Sequence, residues 1–448
     1  QVVTDYTNVN TENSSVSVYV RARPPDPTWT LEDDDASVED KFINPLQATL
    51  AEGLSPKTTA SSLGQSHATC SAFITNFPDN KKKICIRDPA AHNKNLGEIY
   101  FSFDHVFWTE CSQEEIFQAV AKPQVENILA GFNCCCFAYG QTGSGKTYSM
   151  FGQGGGDTRG MIPRCMEEIF VQLEILAKER EVAVVVSFLE IYCDQVRDLG
   201  EAYMSQSHAG GENLKTTSDI YRQMRSAKQV SFQPRKRGSA GANLLHGGAG
   251  GAGSVWETYP SMDLKIHEDV HGNVFDLSLI PVTTLEEVLD IINLGLKLRA
   301  THETKMNQVS SRSHTVFTAT VVQKDPVTEE VVTGMLNLVD LAGSERIKKS
   351  ESEGQRRKEA LHINSSLTAL GKARTASQFM ALDPSAGQTH IPYRDSKLTR
   401  LLQNSLGGNS FTVVLATVHP ISRFADECLS TLQFANRCRS VQNQPRVN

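Results

Sequence analysis

Gly140-Gln141-Thr142-Gly143-Ser144-Gly145-Lys146-Thr147 follows the apolar run Cys134 to Tyr139 and opens a segment suited to a helix. These eight residues fit G-x-x-x-x-G-K-[ST], a pattern with a mechanism when it joins a strand to a helix. Glycines let main-chain N–H groups close around phosphate oxygens, and the helix N-terminus adds the positive end of its dipole. In such a loop the Lys146 ammonium reaches the β and γ phosphates, and the Thr147 hydroxyl takes a place on Mg²⁺. The alternative, a chance glycine turn, is disfavoured by the complete motif in its strand-to-helix setting.

Outward from this loop, strand-like and helical patterns alternate, which favours a layered α/β domain. Val16 to Val20, Cys134 to Tyr139, Val182 to Tyr192, Val331 to Asp340 and Thr412 to Val418 read as strands. Ser112 and Glu115 fit a capping box, which starts a helix that Gly131 stops. Two stretches break the rhythm and read as surface insertions, about 26–80 and 200–261. The second holds the glycine tract 247–253 beside Arg235, Lys236 and Arg237, a basic run read as a solvated loop rather than a localisation signal.

At 39% hydrophobic and 21% charged, the 448 residues can bury a large core. No run of 18 apolar residues and no signal-peptide pattern is present, so a membrane span or secretory route is not supported and an intracellular protein is expected. Ten cysteines without C-x-x-C spacing read as reduced, structural thiols; Cys134, Cys135 and Cys136 should alternate between the two faces of their strand. A net charge of −7 argues against binding nucleic acid through bulk charge, and an acidic partner would have to meet a local basic patch. The chain reads as a portion of a longer protein.

Hydrolysis needs a second element that senses the γ-phosphate. Asp340 ends the apolar strand Met335 to Val339, where P-loop enzymes place the acid that helps hold the metal. The Gly343 N–H lies where it can touch the γ-phosphate and move when that group leaves. Asp340-Leu341-Ala342-Gly343-Ser344-Glu345 and Asn307-x-x-Ser310-Ser311-Arg312-Ser313-His314 resemble two kinesin signatures, D-L-A-G-S-E and N-x-x-S-S-R-S-H. The resemblance runs from Val16 to Asn448. It implies a P-loop NTPase of the kinesin motor fold, with a central mixed, mainly eight-stranded sheet and three helices on each face.

By that resemblance Ser310 and Ser311 close on the γ-phosphate and the metal, Arg312 pairs with Glu345 to shut the site, and Glu345 takes the proton of the attacking water through a second water. Arg21-Ala22-Arg23-Pro24 resembles the family's R-x-R-P motif, which packs on adenine, with Tyr148 on the other side. The implied cofactors are ATP or ADP and Mg²⁺. The N-K-x-D guanine motif is not found.

The track side should be basic, because tubulin is acidic. Lys348, Lys349, Arg356, Arg357 and Lys358 lead into an expected helix at about 361–373. His390-Ile391-Pro392-Tyr393-Arg394-Asp395-Ser396-Lys397-Leu398-Thr399-Arg400 matches the kinesin H-[IV]-P-Y-R-D-S-K-L-T-R string on the same face. The loop around Arg197 is a third candidate. The domain reading is a cover-strand segment at 1–15, the motor at 16–439 and the start of a neck linker at 440–448, with Asn448 as its latch and plus-end movement implied. Pro445 lacks a backbone donor, which puts tight docking of that linker in doubt. The stretch 271–277 is shorter than the family hairpin. The resemblance implies a microtubule-stimulated motor in the cytoplasm and cytoskeleton, at spindle or cilium among other places, assembling through a stalk outside this chain. The second reading is a microtubule-bound scaffold with slow or uncoupled ATPase.

Overall fold

The structure is a computed structural model that describes residues 14–24, 74–87, 97–207, 264, 277–306, 310–345, 365–372 and 391–448. Its main sheet runs in the order β10 (Ile280–Val282), β8 (Glu181–Tyr192), β11 (His314–Lys324), β12 (Val331–Asp340), β7 (Asn133–Tyr139), β13 (Phe411–Val418), β2 (Ser17–Ala22), β6 (His105–Phe107). A ninth strand, β9 (Gln195–Asp198), pairs with β8. The strands β12, β7, β13, β2 and β6 pair in parallel, whereas β8, β11 and β12 are antiparallel neighbours. The sheet is therefore mixed, and the five expected strands stand within about two residues of their sequence-read bounds.

Both faces of β7 are covered, which is why its sequence is apolar without alternation. Cys135, Phe137 and Tyr139 enter one core, and Cys134, Cys136 and Ala138 the other. One core is closed by helices at Lys122–Leu129, Met161–Leu176 and Leu285–Met306. The opposite core is closed by 365–372, Lys397–Leu401 and Ala425–Cys438. The cysteines described are free, and burial raises the thiol pKa of Cys135 to about 12.

The capping box forms as expected: Glu115 N donates to Ser112 Oγ at 3.1 Å, and Ser112 N donates to Glu115 Oε2 at 2.8 Å. That helix is interrupted by a π turn at Phe117–Ala121, just ahead of Pro123, whose missing N–H removes one helical donor. Gly131 ends it at φ +90°, and a side chain there would collide with Val332.

Both expected insertions extend too far into the fold. Ile74–Asn76 (β3) is a strand whose Ile74 is buried, in a small sheet with β4 (Lys83–Arg87) and β5 (Glu98–Ser102). A three-residue strand is too short to show a period against a polar background. Glu201–Ser207 is helical, with Ala202 buried and Gly200 N bonded to Phe188 O at 3.2 Å. The remainder of the expected insertions, including Arg235 to Arg237 and the glycine tract, lies outside the described residues, as does 271–276 of the short hairpin.

Pro445 does not prevent docking of the C-terminal segment. β14 (Gln442–Asn443) pairs with β1 (Ser14–Ser15), and Val447 bridges to Phe132. Gln444 N donates to Gly408 O at 2.9 Å and Arg446 N to Asn409 Oδ1 at 2.5 Å, so the absent donor falls between two satisfied ones. Asn448 fastens the end, its N and Nδ2 both donating to Gly131 O at 2.9 and 3.0 Å.

Candidate nucleotide site

The loop after β7 turns through Gly143 and Gly145, at φ +77° and +100°, conformations that favour glycine. The helix Lys146–Met150 starts directly behind it, so its first-turn N–H groups lack helical partners and point into the loop. Gly140 packs so closely on Thr417 that no side chain fits, and the Ser144 hydroxyl, 2.6 Å from Thr417 Oγ1, ties the loop to β13. Lys146 is buried and donates to Gly140 O at 2.9 Å and Gln141 O at 2.8 Å. Burial lowers its pKa, while Glu345 and Asp340 oppose that shift.

Thr147 Oγ1 donates to Asp340 Oδ2 at 2.7 Å. Asp340 Oδ1 is buried and has no hydrogen-bond partner among the described residues. A hydroxyl beside a carboxylate with a spare oxygen is the hard-oxygen donor set that suits Mg²⁺. Arg299, which the sequence reading missed, donates to Asp340 Oδ2 at 3.2 Å and to Ser313 Oγ at 3.2 Å. Its signal was weak: one arginine inside a polar helical stretch.

The two switch motifs meet the loop. Gly343 N donates to Ser311 O at 2.8 Å, and Ser344 N to Gly140 O at 3.1 Å. Thr142 donates to both carboxylate oxygens of Glu345, from N to Oε2 at 2.9 Å and from Oγ1 to Oε1 at 2.5 Å. A side chain on Gly343 would strike both Glu345 and Thr142, so glycine is needed for this approach. Ser310 and Arg312 form the short turn before β11, and Asn307 lies outside the described residues.

His314 carries a role that the motif did not disclose. Its Nδ1 accepts from Ala342 N at 2.9 Å, so the neutral ring carries its proton on Nε2 and donates to Ser366 Oγ at 2.9 Å. Burial, reinforced by Arg299 and Lys146, pushes its pKa down to about 3. One imidazole thus joins the first switch, the second switch and the helix 365–372.

On the base side, one expectation needs correction. Arg21 does not oppose Tyr148 across a slot: its guanidinium lies 5.0 Å from the centre of the Tyr148 ring and donates to Gln113 Oε1 at 2.9 Å and Ser149 Oγ at 2.7 Å. Buried polar groups take the partners at hand, and Gln113 with Ser149 supplies them. Arg23 donates to Gly143 O at 2.5 Å and braces the loop, while Pro24 is exposed.

Of the expected track residues, Lys348, Lys349, Arg356, Arg357, Lys358 and His390 lie outside the described residues. Arg394 is exposed, Lys397 and Arg400 are half-buried, and Tyr393 donates to Leu406 O at 2.5 Å. Lys397 N donates to Asp194 Oδ1 at 2.9 Å, which links the β8–β9 hairpin to this face.

The family model of the kinesin motor domain matches residues 59–233 and 252–441. The chain belongs to the kinesin motor domain family. Relatives of this motor domain include kinesin-like protein KIN-4A of Gossypium hirsutum, 36% identical over 375 residues that cover 80% of this chain and 32% of that protein. The kinesin heavy chain of Neurospora crassa is 37% identical over 352 residues, 78% of this chain and 31% of the relative. This motor domain therefore spans about a third of the length of these curated relatives. Among solved structures, a fast kinesin superposes with a TM-score of 0.67 at 32% identity, covering 97% of this chain and 94% of that one. A dimeric KIF14 with AMP-PNP, in complex with a microtubule, superposes with a TM-score of 0.67 at 30% identity, covering 97% and 96%.

Proposed function

We propose that this motor domain is a microtubule-stimulated ATPase that converts hydrolysis into plus-end-directed force. The observation that carries the reading is the meeting of the P-loop and both switch motifs at one point, with Gly343 on Ser311 and Glu345 on Thr142. Only the γ-phosphate distinguishes ATP from ADP, and an element seated on the phosphate loop responds to that difference.

Lys146 and the amides of the loop hold the phosphates, and Thr147, Ser311 and Asp340 are the residues that would hold Mg²⁺. When bound, Mg²⁺ offsets charge on the phosphate oxygens. Pro24, Tyr148 and the braced Arg21 and Arg23 form the base end. As the switches close, Glu345 leaves Thr142, pairs with Arg312 and accepts the proton released by the attacking water through a second water. His314 carries the movement of Ala342 to Ser366 and so to the helix 365–372, which presents the basic face to tubulin. Residues 440–448 act as a neck linker, docked here against β1, Gly131 and Gly408. The ordering of a linker after the motor supports plus-end movement.

A gliding assay on polarity-marked microtubules tests this reading. Surface-bound motor should drive microtubules with their minus ends leading. No gliding despite ATP turnover would leave a nucleotide-gated microtubule binder.

A further inference from the structure

Glu190 is 0% exposed, yet neither carboxylate oxygen has a hydrogen bond among the described residues. Its register partner on β11 is Thr315, whose register partner on β12 is Asp340. Opposed residues share a sheet face, so Glu190, Thr315 and Asp340 form one row. Thr315 Oγ1 and Asp340 Oδ1 are also buried without hydrogen-bond partners. Arg299 lies over the row from its helix, with Nη1 3.2 Å from Asp340 Oδ2 and Nε 3.8 Å from Glu190 Oε1. Arg197 closes the other end, its Nη1 3.6 Å from Glu190 Oε2.

An apolar residue would continue the run Phe188, Leu189, Ile191 at less cost, because a buried carboxylate loses several kcal/mol of hydration. What the charge supplies is balance. Two carboxylates and two guanidiniums sum to zero, and Asp340 shares Arg299 with Glu190 instead of being neutralised by it alone.

We propose that Glu190 is a positioning residue for the metal end of the phosphate site: its charge draws on Arg299 and keeps Asp340 available to a divalent cation beside Thr147. Arg197 sets how strongly Glu190 does so. Arg197 lies on β9, whose hairpin is bonded through Asp194 to Lys397 on the track-facing side, so the row also joins that face to the metal acid. This inference rests on the nucleotide-binding reading above.

The test follows charge. Glu190→Gln leaves the cluster one charge positive, and the Mg²⁺ concentration that retains half of a bound fluorescent ADP should rise about ten- to a hundredfold, the usual size of outer-shell effects. Arg197→Gln leaves it one charge negative and should lower that midpoint. The double variant is neutral again and should return near the wild-type value. A residue that merely supports folding would lower the melting temperature without opposite signs in the two single variants. A folded Glu190→Gln chain with the wild-type midpoint overturns the proposal. Should Glu190→Gln not fold, Arg197→Gln decides alone: a lowered midpoint supports the proposal, and an unchanged or raised one overturns it. Failure of the wild-type chain to retain ADP at any Mg²⁺ concentration would instead remove the nucleotide reading.

Discussion

The phosphate end of the sheet and the track-facing end use charge in opposite ways. Lys146, Arg299, Asp340 and His314 are buried, and each meets a specific partner within about 3 Å. On the track side Arg394 is exposed, and the Lys372–Asp395 pair spans 3.8 Å between largely solvated side chains. Buried charges lose much when a partner is removed, whereas solvated ones contribute little individually and are screened by salt. The first region is a device of few residues, and the second is a surface whose effect is a sum.

Variants in each region sharpen that contrast. The largest effect belongs to Lys146→Ala, which should weaken ATP binding about a thousandfold in a fluorescent-nucleotide titration, the scale of losing one partner of a buried charge. Glu345→Ala should lower turnover by about a hundredfold, as loss of a proton acceptor does, while ATP binding persists and the motor stays tightly bound to microtubules. Normal turnover in that variant would remove the proposed role of Glu345. Asn443→Ala deletes the side chain that accepts from Gly407 N at 2.7 Å and donates to Ser410 O at 2.8 Å, so the docked segment should lose about 1–3 kcal/mol. Hydrogen exchange at residues 442–448 would report it. Arg394→Ala should weaken microtubule affinity by about fivefold or less, shrinking further as salt rises. A loss as large as that of Lys146→Ala would break the contrast.

Acid provides another test. His314 has a folded pKa of about 3, below its ordinary 6.5, so the unfolded chain binds the extra proton. Its contribution is complete above pH 6.5 and is lost as pH falls towards 3, by up to about 1.4 kcal/mol per pH unit. His314→Gln should flatten that part of a melting-temperature profile.

Much of this was legible in the sequence where chemistry demands a fixed string. The phosphate loop needs glycine at set places, and the apolar strand before it has one reading. The capping box at Ser112 and Glu115 was equally plain. Arg299 was not, because a lone arginine on a helix carries no pattern, and its meaning arises only when β12 brings Asp340 beneath it. Arg21 was assigned to the base, but its partners come from Gln113 and Ser149, which are remote in the chain. Pro445 suggested a poorly docked linker because a missing donor was counted without knowing which neighbours supply donors. Long-range pairing decided each of these, and local sequence does not encode it.

The central claim is that the phosphate loop and the track face form one cycle. Steady-state ATP hydrolysis by this chain, measured with and without polymerised microtubules, tests it most directly. The account predicts slow turnover alone and strong stimulation that saturates with microtubule concentration. Microtubule binding with no change in turnover would contradict it.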